Sequence, residues 1–341
     1  MMIRAVLGNP NHPEYGVATI PFPIPRDQYA HCVELLEALE IGNAVKADCK
    51  VEKIDSFYTV LKRTEMLTVN VEELNYLAKR LDSFDTGEAA QFQAMAHKLE
   101  LFELKDLINL TFCCQQATVI TDFSDLAAIG RNHYMNLHGG SASVDELNAL
   151  DDKGIARQLI ESDSGKITPY GVVYDNGMKL EQIYDGRFFP CYYYEPNAIT
   201  VAVTAKSEPE DTEHITWLFL PMIQEEIDRA LLRGGITDPS EIRLSLEDSW
   251  LPHEVLDLLD MDHVDISELN ALVQALDEFS DMSIRKYAAA AVMARPHTTG
   301  QAKHLAENLD LFDFAPSAST PEEYGKYMIQ QSGRFEYDEN L

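Results

Sequence analysis

Cys191 is the residue whose chemistry would be most consequential. It lies in the run Phe188-Phe189-Pro190-Cys191-Tyr192-Tyr193-Tyr194, and a thiol paired with one of the ten histidines would be a nucleophile. No local signature flanks it, so a half-buried strand cysteine is the expectation. Cys113 and Cys114 adjoin at the end of an apolar run beginning at Leu107, which reads as core packing. His31, His97, His133, His138, His253, His263 and His304 show neither H-x-x-x-H nor H-E-x-x-H spacing, so no metal site is expected. Asp257, Asp260 and Asp262 resemble the start of a calcium loop, yet the glycine and the distal glutamate of such a loop are missing. Gly130, Gly139 and Gly140 form no phosphate-binding pattern, and the glycine at 130 is expected to permit close packing near a helix start. These residues point to a chain that is not an enzyme and needs no cofactor.

What remains is carboxylate. The chain of 341 residues carries 57 Asp and Glu against 27 Lys and Arg, a net charge of −30. A small folded domain is kept soluble by a charge of about 2–8, and larger values oppose compactness through self-repulsion. An acidic disordered tail does not account for the excess, because 45% of the chain is hydrophobic and 9% aromatic. The most lopsided stretch, 241–281, holds twelve acids and one base, Arg243. It also holds Trp250, Leu251, Val255, Leu256, Leu269, Leu272 and Leu276, so it reads as folded structure with an acidic face.

Such a charge argues against direct binding to nucleic acid and for a basic partner. Duplex DNA carries one negative charge per ~1.7 Å, so thirty charges match about 50 Å of duplex, or roughly 15 base pairs. A rigid body bearing carboxylates at that density is accepted by a basic DNA-reading groove, with fast and salt-sensitive association. The five cysteines include no C-x-x-C pair, which fits a reducing cytoplasm. The N-terminal apolar run is too short for a signal peptide, and no run approaches ~18 apolar residues, so no membrane span is expected.

The elements that would position these carboxylates repeat. Glu73-Leu74-Asn75-Tyr76-Leu77 … Leu81-Asp82-Ser83-Phe84 matches Glu268-Leu269-Asn270-Ala271-Leu272 … Leu276-Asp277-Glu278-Phe279. Leu74, Leu77, Ala78, Leu81 and Phe84, like Leu269, Leu272, Val273, Leu276 and Phe279, recur at helical spacing. Asn70 with Glu73, and Asp265 with Glu268, have capping-box spacing. Upstream, Asp55-Ser56-Phe57 matches Asp248-Ser249-Trp250, and a strand-like run at 19–22 matches 216–219. Amphipathic helices at about 27–39 and 224–233 follow these runs. Downstream, Gly130-Arg131 matches Gly325-Lys326, and Thr320-Pro321-Glu322-Glu323 opens a helix there.

Between the copies, strand-like runs at 167–174, 178–184 and 187–194 are separated by Asn176-Gly177 and Asp185-Gly186, which reads as a β-meander. The expected fold is α+β and elongated: an α/β module at 1–62, a helical module at 63–137, a meander module at 138–197, a second α/β module at 198–255, and a second, truncated helical module at 256–341.

These patterns resemble the ArdA antirestriction family. The 73–84 and 268–279 helices are similar to that family's E-L-N-x-L-x-x-x-L-x-x-[LF] helix. Asp122-Phe123-Ser124-Asp125-Leu126, followed by Gly130-Arg131 and Tyr134, resembles its aspartate-rich approach to a Leu-Gly-Arg-Tyr-Tyr-like helix, and 322–327 is a looser instance. Residues 3–57 and 199–250 resemble its opening strand, helix and acidic strand. The resemblance implies a DNA mimic of a mobile genetic element that occupies the DNA groove of a type I restriction–modification enzyme, on its methyltransferase and specificity core. Family members usually comprise one such unit and dimerise. The tandem arrangement therefore leaves two options, a homodimer or a pseudo-dimer within one chain.

The partner-binding surface is expected on acids of the repeated helices and their flanks: Asp82, Asp85, Glu88, Glu247, Asp248, Asp257, Asp260, Asp262, Asp277, Glu278 and Asp281. Composition alone also fits a generic acidic or halophilic protein, and the sequence equally allows an acidic inhibitor or decoy of another basic protein, such as a CRISPR effector, a repressor or a nucleoid protein.

Overall fold

The computed structural model describes residues 2–162, 164–259, 263–318, 320–330 and 332–333. The fold is α+β, and the chain divides into two compact units. Unit 1 comprises Met1–Tyr194 with Leu232–Gly234, and unit 2 comprises Glu195–Leu231 with Gly235–Leu341.

In unit 1, β1 (Ile3–Gly8), β2 (Val17–Phe22), α1 (Tyr29–Ala38), β3 (Cys49–Asp55) and β4 (Thr68–Val69) come first. They form an antiparallel sheet ordered β2-β1-β3-β4. Alternation sets its buried face: Ile3, Ala5 and Leu7 of β1 are at most 1% exposed and lie beside Ile20, Phe22, Val51 and Ile54. Helix α1 closes that face with Tyr29, Cys32 and Leu36.

The helical part follows as α2 (Val71–Asp82), α3 (Thr86–Lys98) and α4 (Leu104–Leu110). The stripe Leu74, Leu77, Ala78 and Leu81 is buried, as its spacing requires. Beyond it lie β5 (Thr118–Ile120), α5 (Leu126–Leu137), α6 (Val144–Ala149), α7 (Asp152–Glu161), β6 (Lys166–Thr168) and β7 (Gly171–Tyr174), with a sheet ordered β5-β7-β6.

Here the meander expectation is corrected. Of its three runs only the first contains strands, β6 and β7, and β7 pairs with β5 and β6. Asn176 and Gly177 do have positive φ, 53° and 78°, as the turn chemistry requires. The chain after them, however, forms no ladder through 194. Its backbone bonds elsewhere: Tyr184 N–H donates to Asn109 Oδ1 at 2.7 Å, Tyr184 O accepts from Asn109 Nδ2 at 3.0 Å, and Asp185 Oδ1 accepts from the N–H groups of Arg187 and Phe188. Its aromatic side chains pack across α2. Phe189 stacks on Tyr76 at 4.5 Å, and the Arg80 guanidinium lies 4.3 Å from the Phe112 ring centre and 4.4 Å from that of Tyr192. The segment is an aromatic strap. Helices α6 and α7, which precede β6, also replace part of the expected meander module, and Ser143 with Glu146 forms a full capping box at the start of α6.

Gly130 of α5 meets the backbone of α7. A Cβ at 130 would lie 1.8 Å from Asp152 O and 2.7 Å from Asp152 C, neither of which can swing aside. The expectation of close packing there is met. Gly130→Ala should cost about 1–3 kcal/mol or more through overpacking, read as a lowered urea midpoint. An unchanged midpoint would show that the two helices separate freely.

In unit 2, β8 (Ile199–Ala205), β9 (Thr216–Leu220), α8 (Gln224–Arg233, whose last two residues group with unit 1) and β10 (Ile242–Ser249) give an antiparallel sheet ordered β10-β8-β9. Then come α9 (His253–Leu256), α10 (Ile266–Asp277), α11 (Asp281–Ala294), α12 (Thr299–Glu307) and α13 (Pro321–Gln330). Strand connectivity matches that of β2-β1-β3: the first strand is central, and the second and third flank it. The third strand skips one residue in each sheet, Glu52 between Val51 and Lys53 and Glu247 between Leu246 and Asp248. Phe57 and Trp250, just past those strands, are both exposed.

The repeated Asn has one role in both units. Asn75 Oδ1 accepts the Ile24 N–H at 2.9 Å, and Asn270 Oδ1 accepts the Met222 N–H at 2.8 Å. Asn270 Nδ2 also donates to Met222 O at 2.8 Å. Ile24 and Met222 each follow a cis proline, Pro23 and Pro221. The α10 stripe Leu269, Leu272, Val273 and Leu276 is fully buried in a core with Val201, Val203, Leu218, Leu220 and Tyr287.

Candidate protein-binding surface

The helix caps decide which acids are committed to the fold. Asn70 and Asp265 cap α2 and α10, accepting the N–H groups of Glu73 and Glu268. The expected boxes are only half formed, because both glutamate side chains turn elsewhere. Glu73 Oε1 accepts from Tyr184 Oη at 2.7 Å and lies 3.6 Å from the Arg233 guanidinium, within unit 1. Burial pushes its carboxyl above the usual range, while the Tyr184 bond and Arg233 pull it back. Glu268 Oε2 accepts from Thr299 Oγ1 at 2.6 Å. The full boxes at α3 and α13 are Asp85 with Glu88 and Thr320 with Glu323.

Three of the expected surface acids in unit 1 are thus structural. Asp85 and Glu88 cap α3, and Glu88 also accepts from Gln115. Asp82 accepts the Tyr194 hydroxyl at 2.8 Å beneath the strap. Asp82 and Glu88 are half-buried rather than exposed.

Unit 2 differs. Glu247 and Asp248 are exposed on β10, Asp257 at the end of α9, Asp277 and Glu278 at the end of α10, and Asp281 in the first turn of α11. Asp260 and Asp262 lie outside the described residues. Asp281 sits at the favourable positive end of a helix dipole. Asp277 and Glu278 sit at the unfavourable negative end, where a carboxylate costs roughly 0.3–1 kcal/mol. The equivalent turn of α2 carries Lys79 and Arg80, whereas the last turn of α10 has no base. Glu210, Asp211 and Glu213, which are not among the expected acids, are also exposed, in the connection between β8 and β9. Four acids within 208–213 were the available signal.

The charge is divided unequally. Unit 1 contains 28 acids and 18 bases, and unit 2 contains 29 acids and 9 bases, giving −10 and −20.

Cys113 and Cys114 are buried, and burial pushes both thiols up. Cys191 is half-buried in the strap and lies in no strand. Among the described residues no group of three or more His, Cys, Asp and Glu side chains is placed to hold a metal ion, and no helix is long and apolar enough to cross a membrane. No family model matches the chain, and it matches no curated protein and no solved structure.

Proposed function

We propose that this chain is an acidic DNA mimic. It occupies the DNA-binding groove of a type I restriction–modification enzyme in the cytoplasm and blocks cleavage and modification by competition, without turnover. The observation that carries this reading is the net charge of −30 on a folded α+β chain. The resemblance of its repeated helices to the ArdA family supplies the target class. Further support comes from the carboxylates at the end of α10, which local stability disfavours and no basic residue in that turn offsets. On this reading the target-facing surface lies mainly on unit 2, which holds two-thirds of the net charge.

Titration of the protein into a type I methyltransferase core bound to labelled duplex tests it. Displacement is expected at about 50 mM salt and should weaken tenfold or more at about 300 mM, because exposed charges are screened beyond roughly a Debye length. A folded protein that displaces nothing at low salt would sink the reading, and the same titration against other DNA-binding defence proteins would then identify a different basic partner.

A further inference from the structure

We propose that the outer edge of β10 binds an extended, basic segment of a partner protein as an added antiparallel strand. This goes beyond the mimic reading and does not depend on it, because recognition is through the partner's main chain and needs no DNA-binding groove. Strand β10 spans Ile242–Ser249, lies at an edge of its sheet and, among the described residues, pairs with β8 alone. Lys206 N–H donates to Glu241 O at 2.9 Å. By the alternation of an antiparallel ladder, the peptide groups of Arg243 and Ser245 then also face β8, and those of Leu244 and Leu246 face outward. Among the described residues no group bonds to those outward peptide groups, and such a row templates a further strand.

Unit 1 holds the same edge in its occupied form. Aligned on the skipped residues Glu52 and Glu247, Cys49, Lys50 and Val51 correspond to Leu244, Ser245 and Leu246. Cys49 and Lys50 pair with Val69 and Thr68 of β4. Val51 N–H donates to Leu67 O at 2.9 Å, and Val51 O accepts from Met66 N–H at 2.7 Å. The bulge at the glutamate is therefore compatible with a strand on this side. At the spacing that relates Glu73 to Glu268, β4 falls on His263 and Val264. These form no strand, and Val264 packs against the unit 2 core.

Charge selects the occupant. In unit 1, Lys50 Nζ pairs with the skipped glutamate, Glu52 Oε1, at 2.8 Å. In unit 2 a serine stands in place of that lysine, and Glu247 accepts from the Ser245 hydroxyl at 3.0 Å. Ser245 and Asp248 lie opposite Ala202 and Thr200, so they share one face of the sheet, while Leu244 and Leu246 pack on the core at the other. Glu241, Glu247 and Asp248 are all exposed. Arg243 is the only base between 241 and 281, and its Nη1 is buried. Lys206 turns its ammonium to Ser240 O at 2.8 Å. An incoming strand with Lys or Arg on the Ser245 face supplies the cation that unit 1 carries in its own sequence. Apolar residues on its other face extend the row of Leu244 and Leu246.

The test is the fluorescence anisotropy of a labelled peptide of about ten residues, alternating Lys and Val, titrated with the full chain at about 100 mM salt. A Kd on the order of 10 µM is expected, because the interface is small. The residues directly opposite Leu244 and Leu246 share their face, so the Val amides bond to the edge and the Lys amides point away. N-methylation of the Val amides should weaken binding roughly tenfold or more, whereas N-methylation of the Lys amides should leave it within about twofold. Both modified peptides keep the charge of the parent. Glu247→Lys with Asp248→Lys should weaken the Lys/Val peptide roughly tenfold or more and admit a Glu/Val peptide that the wild-type chain rejects, an outcome that misfolding does not produce. No binding at about 1 mM peptide, equal effects of the two methylations, or a charge variant that binds as wild type does would each overturn the inference. These titrations contain no restriction enzyme, so their failure leaves the mimic reading standing, and a failure to displace duplex leaves the β10 site standing.

Discussion

Replacing Glu247, Asp248, Asp257, Asp277, Glu278 and Asp281 together by their amides is expected to weaken competition with duplex DNA by about one to four orders of magnitude, while any single replacement is expected to change little. An exposed charge pair contributes about 0.2–1 kcal/mol, so one substitution weakens binding at most roughly fivefold. Six such losses sum to about 1–6 kcal/mol, which spans roughly tenfold to ten-thousandfold. All six side chains are exposed, and their removal takes nothing from the buried core. The parallel change in unit 1 should behave differently. Asp85→Ala with Glu88→Ala removes a capping box, so it should cost stability, about 1 kcal/mol for the cap, before it costs affinity. Affinities from the displacement titration, set beside urea midpoints for the same variants, separate the two effects. A single amide substitution that eliminated competition in a folded protein would rule out a collective surface and point to one dominant contact.

The second large effect concerns the repeated asparagines. Asn270 is 3% exposed and satisfies both the N–H and the C=O of Met222. Leucine there would have a similar volume but no polar atoms. The Met222 N–H would remain buried and unpaired, at about 1–3 kcal/mol, and the second bond would also be lost, at about 0.5–1.5 kcal/mol. Gln274 still reaches Met222 O at 3.1 Å, which caps the loss. Asn270→Leu is therefore expected to cost about 2–4 kcal/mol, a shift of roughly 1–2 M in the urea midpoint of unit 2. Among the described residues the Asn75 side chain makes only the bond from Ile24 N–H, so Asn75→Leu should cost less, about 1–3 kcal/mol. Equal midpoints for both variants and wild type would mean that neither bond contributes.

Where a segment's own pattern determined its structure, the sequence was readable. The stripes of α2 and α10 fell where period 3.6 placed them, because an apolar face of that width has one way to be buried. Helix α8 begins and ends where expected, and Thr320 and Glu323 form the box their spacing requires. Where distant partners decided, it was not. The strap is rich in aromatic residues and punctuated by Asp-Gly, which is also how a strand reads. The side chain of Asn109 and the stacking surface of Tyr76 claimed it instead, and both are remote in sequence. Glu73 and Glu268 had capping spacing, but Tyr184 and Thr299 offered them other bonds. The candidate surface shows the same division. Exposure at the end of α10 followed from helical phase, whereas the engagement of Asp82 by Tyr194 needed the tertiary structure.

The placement of the indoles has a practical consequence. The chain's two tryptophans, Trp217 on β9 and Trp250 just past β10, both belong to unit 2, while the fifteen tyrosines are spread over both units. Emission excited in the indole band therefore watches one half of the molecule. Trp250 is 45% exposed and lies two residues beyond Asp248 and three beyond Glu247, so its surroundings enrich cations and repel anions. In a Trp217→Phe chain, its quenching by caesium relative to iodide turns that single ring into a gauge of the local surface potential, read without any added label.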